Sequence, residues 1–132
     1  MIAWLRSPAG GNHKILDVGT AAEESCDYPD FAREAAKAVS QKRVSKGLLF
    51  CGTGIGMGMA ANKVPGVLAA VTWNEATARL AAEHNGATIL CLPARYVGTK
   101  KAQTMIKAFL STPFGGGRHG RRVKKILALD KL

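Results

Sequence analysis

Apolar residues fall in short unbroken runs, separated by stretches whose apolar positions recur at helical spacing. His13–Val18 (HKILDV), Gly47–Cys51 (GLLFC), Val67–Thr72 (VLAAVT) and Ala87–Leu92 (ATILCL) read as strands bounded by turn residues. Between and after them, helices are expected over Phe31–Ser40, Met59–Lys63, Glu75–His84, Thr99–Leu110 and Arg121–Lys131. Pro29 suits the first turn of one helix, and Asn74 the cap of another. Strands that are apolar throughout and alternate with helices predict a parallel sheet covered on both faces. The expected class is therefore α/β, a three-layer α/β/α Rossmann-like arrangement forming a single domain over residues 1–132.

Composition narrows the function classes. Hydrophobic residues make up 47% of the chain and charged residues 21%, too apolar for a disordered chain. No apolar run approaches the roughly 20 residues that a membrane-spanning helix needs. Met1–Leu5 is apolar but gives way at once to Arg6 and Pro8, which does not read as a secretory leader. Cys26, Cys51 and Cys91 form no CxxC pair and read as reduced thiols, so a cytoplasmic setting is expected. His13, His84 and His119 lie far apart with no ligand-like spacing, so neither a metal nor another cofactor is expected.

The net charge of +10 is unevenly distributed. Residues 1–98 hold ten basic against eight acidic side chains, whereas residues 99–132 hold nine basic side chains against Asp130 alone. Such a segment suits an anionic partner: a polynucleotide, a lipid surface or a small phosphorylated molecule. No aromatic-interleaved or recognisable reading motif accompanies the charge, which disfavours nucleic acid.

The most distinctive segment follows Gly47–Cys51, where Gly52, Gly54, Gly56 and Gly58 lead from a strand into a helix. A strand-to-helix turn of this composition lets several backbone N–H groups converge on one anionic oxygen. A dinucleotide fingerprint starting at Gly52 would require glycine where Met57 stands, and no GK[ST] triplet supplies a P-loop. Cys51 leads directly into these amides, which makes it a candidate base or nucleophile, with a plain buried strand cysteine as the alternative. Cys91 lies inside an apolar strand and reads as core, while Met57 and Met59 read as packing residues.

The run Phe50–Lys63 (FCGTGIGMGMAANK), with Asp17–Thr20 (DVGT), Asp27–Asp30 (DYPD), Glu83–Asn85 (EHN) and Gly116–His119 (GGRH), resembles the B-type ribose-5-phosphate isomerases. That family also includes galactose- and allose-6-phosphate isomerases. The resemblance implies an aldose–ketose isomerisation of a phosphorylated sugar through an enediolate. It also implies a homodimer whose active sites lie between subunits. By the same resemblance, Cys51 would be the base that moves a proton between C2 and C1. Thr53 and the Gly52, Gly54, Ile55 and Gly56 amides would hold the enediolate oxygen, in the manner of an oxyanion hole. His84 would assist furanose opening, and Asn85 would bind substrate oxygens. Arg118 and Arg122 would hold the phosphate, with His119 at the same edge.

Residues 1–12 diverge from the family. Laid on the family's opening, Ser7 stands where that family has Asp and Pro8 where it has His. Only Gly11 and Asn12 then separate Gly10 from the expected strand His13–Val18, so the first helix is missing. Parallel neighbouring strands need a crossover of about a dozen residues. Met1–Leu5 is therefore expected outside the usual first-strand position, leaving the sheet and one helical layer incomplete. Gly58, for a residue often Ser in the family, and Trp73-Asn74, for a frequent His-Asp pair, are smaller departures. Together these changes imply a weak isomerase or a member that binds without turnover as the alternative to an efficient enzyme.

Overall fold

A computed structural model describes residues 1–132. The chain runs through α1 (Ile2–Arg6), a short 3-10 turn (Pro8–Gly10), α2 (Tyr28–Ser40), β1 (Gly47–Cys51) and α3 (Ile55–Asn62). It continues through β2 (Ala69–Val71), α4 (Glu75–Asn85), β3 (Ile89–Pro93), α5 (Thr99–Ser111), α6 (Arg118–Ala128) and a last 3-10 turn (Leu129–Lys131). The three strands are parallel in the order β1-β3-β2, with Gly47 beside Ile89 at the amino end and Cys51 beside Pro93 at the carboxyl end.

Side-chain alternation sorts the core into two halves. Odd-numbered strand residues Leu49, Ile89 and Cys91 meet Ala32, Ala36 and Val39 of α2 and Met57 and Ala61 of α3. Even-numbered Leu90 and Leu92 meet Ala78 and Ala82 of α4 and Met105, Ile106 and Phe109 of α5. Small residues let the helices approach closely: a Cβ on Gly58 would lie 3.0 Å from the Val71 side chain and 3.6 Å from Cys91 Sγ. Gly58 thus faces the sheet, and its place in the chain is explained by packing rather than by a lost hydroxyl at the loop.

The fold class is as expected, but the amino-terminal elements differ. His13–Val18 forms no strand: none of its backbone groups bonds to β1. Ile15 packs on the α4/α5 half of the core and Val18 on the α2/α3 half, so this extended segment straddles the sheet edge without joining it. β1 is consequently an edge strand: Leu48 and Phe50 pair in register with Leu90 and Leu92 of β3, and no strand lies on their other side. Met1–Leu5 turns into α1 instead of a strand. Its Leu5 is buried against the α4/α5 half, with Met1 and Trp4 beside it, and Lys107 Nζ lies 5.7 Å from the Trp4 ring centre. This small helix lays its apolar side chains on that half of the core. Phe109, fully buried in the same cluster, should anchor that half: Phe109→Ala is expected to cost about 3–5 kcal/mol in urea denaturation.

Candidate functional site

α3 begins at Ile55, earlier than the apolar pattern indicates, because the glycine loop itself supplies its first turn. Gly54 is the N-cap with φ +78°, a left-handed conformation that glycine adopts without strain. Thr53 Oγ1 accepts the Ile55 N–H at 3.2 Å, so that amide is committed within the loop. The N–H groups of Gly54, Gly56 and Met57 have no partner in the protein and remain open donors beside Cys51. Cys51, Gly52 and Thr53 are half-buried, and Cys51 rests at the edge of the α2/α3 core.

The two strand cysteines are sharply different. Cys91 is fully enclosed in the core, and burial, with Cys51 nearby as a smaller cause, pushes its thiol up to about 12. It stays protonated and inert, whereas Cys51 keeps access to the loop. Met57 is buried as expected, but Met59 is exposed, as is Ile55 one turn before it, so α3 presents an outward apolar stripe instead of a second packing methionine.

Two further residues join the loop that the sequence pattern did not single out for the site. The Arg95 guanidinium lies over Gly52, where a Cβ would approach its Nη2 to 3.0 Å. The backbone fixes this approach, since Ala94 and Arg95 N–H donate to the Cys51 and Gly52 carbonyls at 2.8 and 3.1 Å. Tyr28, within the Asp27–Asp30 run, lays its ring against Gly56 so closely that a Cβ there would meet it at 2.5 Å. Neither approach is marked locally in the sequence. Asn74, by contrast, is absorbed by structure: with Thr77 it forms a capping box, the Thr77 N–H donating to Asn74 Oδ1 at 2.8 Å.

The remaining candidates gather elsewhere. Gly115 N–H donates to the Glu83 carbonyl at 2.8 Å, and Phe114 packs against Gly86, the left-handed cap of α4. This folds the start of α6 onto the end of α4, where the His84 and His119 rings stack with centres 4.1 Å apart and planes 14° from parallel. His119 is held below the ordinary imidazole value by desolvation, then by positive charge on His84, Arg118 and Arg122, with Glu83 opposing. His84, Asn85, Arg118, His119 and Arg122 thus form one basic cluster at the amino end of the sheet. Lys46 borders the same end, donating to the Ala87 carbonyl at 2.8 Å over the Phe109 ring, and its amine is lowered by burial.

This cluster and the Cys51 loop do not meet within one chain. Cys51 closes β1 at the carboxyl end of the sheet, whereas α4 runs back to the amino end before β3 starts at Ile89. The five residues of β1 alone separate the two ends by about 13 Å. Clefts of about 560 and 570 Å³ open along α6 and between β2 and the last turn; Cys51 lines neither. No group of three or more His, Cys, Asp or Glu side chains is arranged to hold a metal. No helix is long and apolar enough to cross a membrane.

Residues 1–126 match the ribose/galactose isomerase family model. The chain belongs to this family. It is 38% identical over 118 residues to ribose-5-phosphate isomerase B of Escherichia coli (strain K12), covering 89% of this chain and 79% of that one. The structure superposes on a ribose 5-phosphate isomerase from Thermotoga maritima with a TM-score of 0.90 at 43% identity, over 99% of this chain and 86% of that one. It also superposes on ribose-5-phosphate isomerase B from Mycoplasma genitalium with bound ribulose-5-phosphate, with a TM-score of 0.84 at 44% identity, over 88% and 78% of the two chains. By family, this chain is a sugar-phosphate isomerase.

The loop geometry of this isomerase depends on the backbone at position 54. Gly54→Ala is expected to lose about 1–2 kcal/mol of stability, because a Cβ disfavours the left-handed conformation. Urea denaturation of the purified variant measures it.

Proposed function

We propose that this isomerase interconverts ribose 5-phosphate and ribulose 5-phosphate through an enediolate, at sites completed by two copies of the chain. The reading is carried by one observation: Cys51 borders the open Gly54, Gly56 and Met57 amides, while the basic histidine–arginine cluster lies at the other end of the sheet. A second copy can bring its own cluster to the first copy's loop. The exposed Ile55–Met59 stripe beside that loop supplies apolar surface for such a contact.

In this arrangement, the Cys51 thiolate takes the proton from C2 of the open-chain aldose and returns it to C1. The charge left on oxygen is held by amides already oriented before the reaction, so little reorganisation is needed. Thr53 orders the loop through Ile55 N–H, and Arg95 adds positive charge over Gly52. The second copy's His84 exchanges protons during furanose opening, its Asn85 binds sugar oxygens, and its Arg118 and Arg122 clamp the phosphate. A hexose 6-phosphate is the sibling substrate, separated from ribose 5-phosphate by pocket length.

A second reading, phosphosugar binding without efficient turnover, draws on the altered opening. Ser7 Oγ donates to the Trp4 carbonyl at 2.6 Å within the α1 turn, and Pro8 offers no N–H, so neither hydroxyl nor amide is free for substrate there. Calorimetry with ribose 5-phosphate separates the readings: heat of binding without ketose formation favours the second.

The expected result for the first reading is that Cys51→Ala and His84→Ala each abolish ketose formation from ribose 5-phosphate. Refolded together, the two variants should regain about one quarter of the activity, since half the dimers then contain one site with both native residues. No recovery would exclude a site shared between copies, and turnover unaffected by Cys51→Ala would exclude the base.

A further inference from the structure

His84 stands at the penultimate position of α4, half-buried just before the Gly86 cap. Ring opening asks more of it than presence. The C1–O4 bond breaks, O4 gains a proton, and the anomeric hydroxyl loses one as its C=O forms. No net proton is consumed, so one imidazole that donates at one oxygen and accepts from the other must keep a fixed plane.

Neither the His84 nor the His119 ring has a hydrogen-bond partner in the chain. The His84 plane is instead set by the His119 face, 4.1 Å away and 14° from parallel. His119 is delivered by a backbone tied at several points: Gly115 N–H to the Glu83 carbonyl, Phe114 against Gly86, and His119 N–H to the Gly116 carbonyl at 3.1 Å. Around the pair, α4 contributes Glu83 and α6 contributes Arg118 and Arg122. Two positive guanidinium groups on the His119 side, against one carboxylate, add to desolvation in holding the His119 imidazole below its ordinary value.

We propose that His119 is a positioning residue for His84: its stacked ring fixes the orientation of the ring-opening histidine and leaves both His84 nitrogens free for the sugar. This rests on the assignment of His84 above. It separates His119 from Arg118 and Arg122, which act on the phosphate directly.

The test uses the full-length protein and compares His119→Ala with His119→Phe, which keeps an aromatic face but carries no proton. Steady-state kinetics with ribose 5-phosphate should show kcat of His119→Ala down about 10- to 100-fold with KM nearly unchanged, as expected for lost orientation. His119→Phe should recover kcat to within about threefold of the native chain. NMR gives a readout besides activity: the His84 ring proton should be shifted upfield by the neighbouring ring in the native chain and in His119→Phe, but not in His119→Ala. A rise in KM shared by both variants would overturn the proposal in favour of direct phosphate contact, as would an identical His84 resonance in native and His119→Ala chains. His84→Ala without effect would overturn the His84 assignment and this proposal together. His84→Ala inactive beside a fully active His119→Ala would overturn the positioning role alone.

Discussion

A parallel sheet has two chemically different ends, and a crossover helix must return from one to the other before the next strand begins. In this chain that constraint governs where every candidate group can be. The carboxyl end of β1 delivers Cys51 into the amides that open α3, and the return of α4 carries His84 and Asn85 to the amino end. A loop rich in open N–H donors and a cluster rich in cations both suit anionic groups of one ligand, yet the strand length between them keeps them apart within one copy. The proposed sites shared between copies rest on this topology as much as on any single residue.

The two halves of the core support these ends differently. On the α2/α3 side, alanine and glycine let helices settle close to the sheet, and the close fit of Gly58 on Val71 and Cys91 seats α3 with its first amides beside Cys51. The same enclosure that fixes the loop silences Cys91, whose thiol is raised chiefly by burial and further by Cys51 nearby. On the α4/α5 side, larger residues fill the layer, and α1 adds Leu5 and Trp4 to it.

Much of the architecture was legible along the chain. Three of four expected strands form, each expected helix has a counterpart though α3 and α6 start three to four residues early, and the Asn74 cap is real, because local patterning and tertiary packing agree there. His13–Val18 carries a strand-like pattern yet stays unpaired, since a strand exists only when a neighbour accepts its hydrogen bonds. The early start of α3 was hidden by its glycines, whose poor helix propensity is overridden by packing against α2 and the sheet.

Alone, the sequence determined the fold class, the family, and the residue types that carry the chemistry, because these depend on periodicity and on motifs contiguous in the chain. Only the tertiary structure decided which of those residues meet. Residues 35 positions apart, His84 and His119, stack because a glycine-rich turn folds α6 onto α4, while Arg95 through backbone bonds and Tyr28 through its ring reach the loop by contacts that no local pattern encodes. Such proximities arise from how strands and helices close on one another in space, a property of the whole chain and of no single segment.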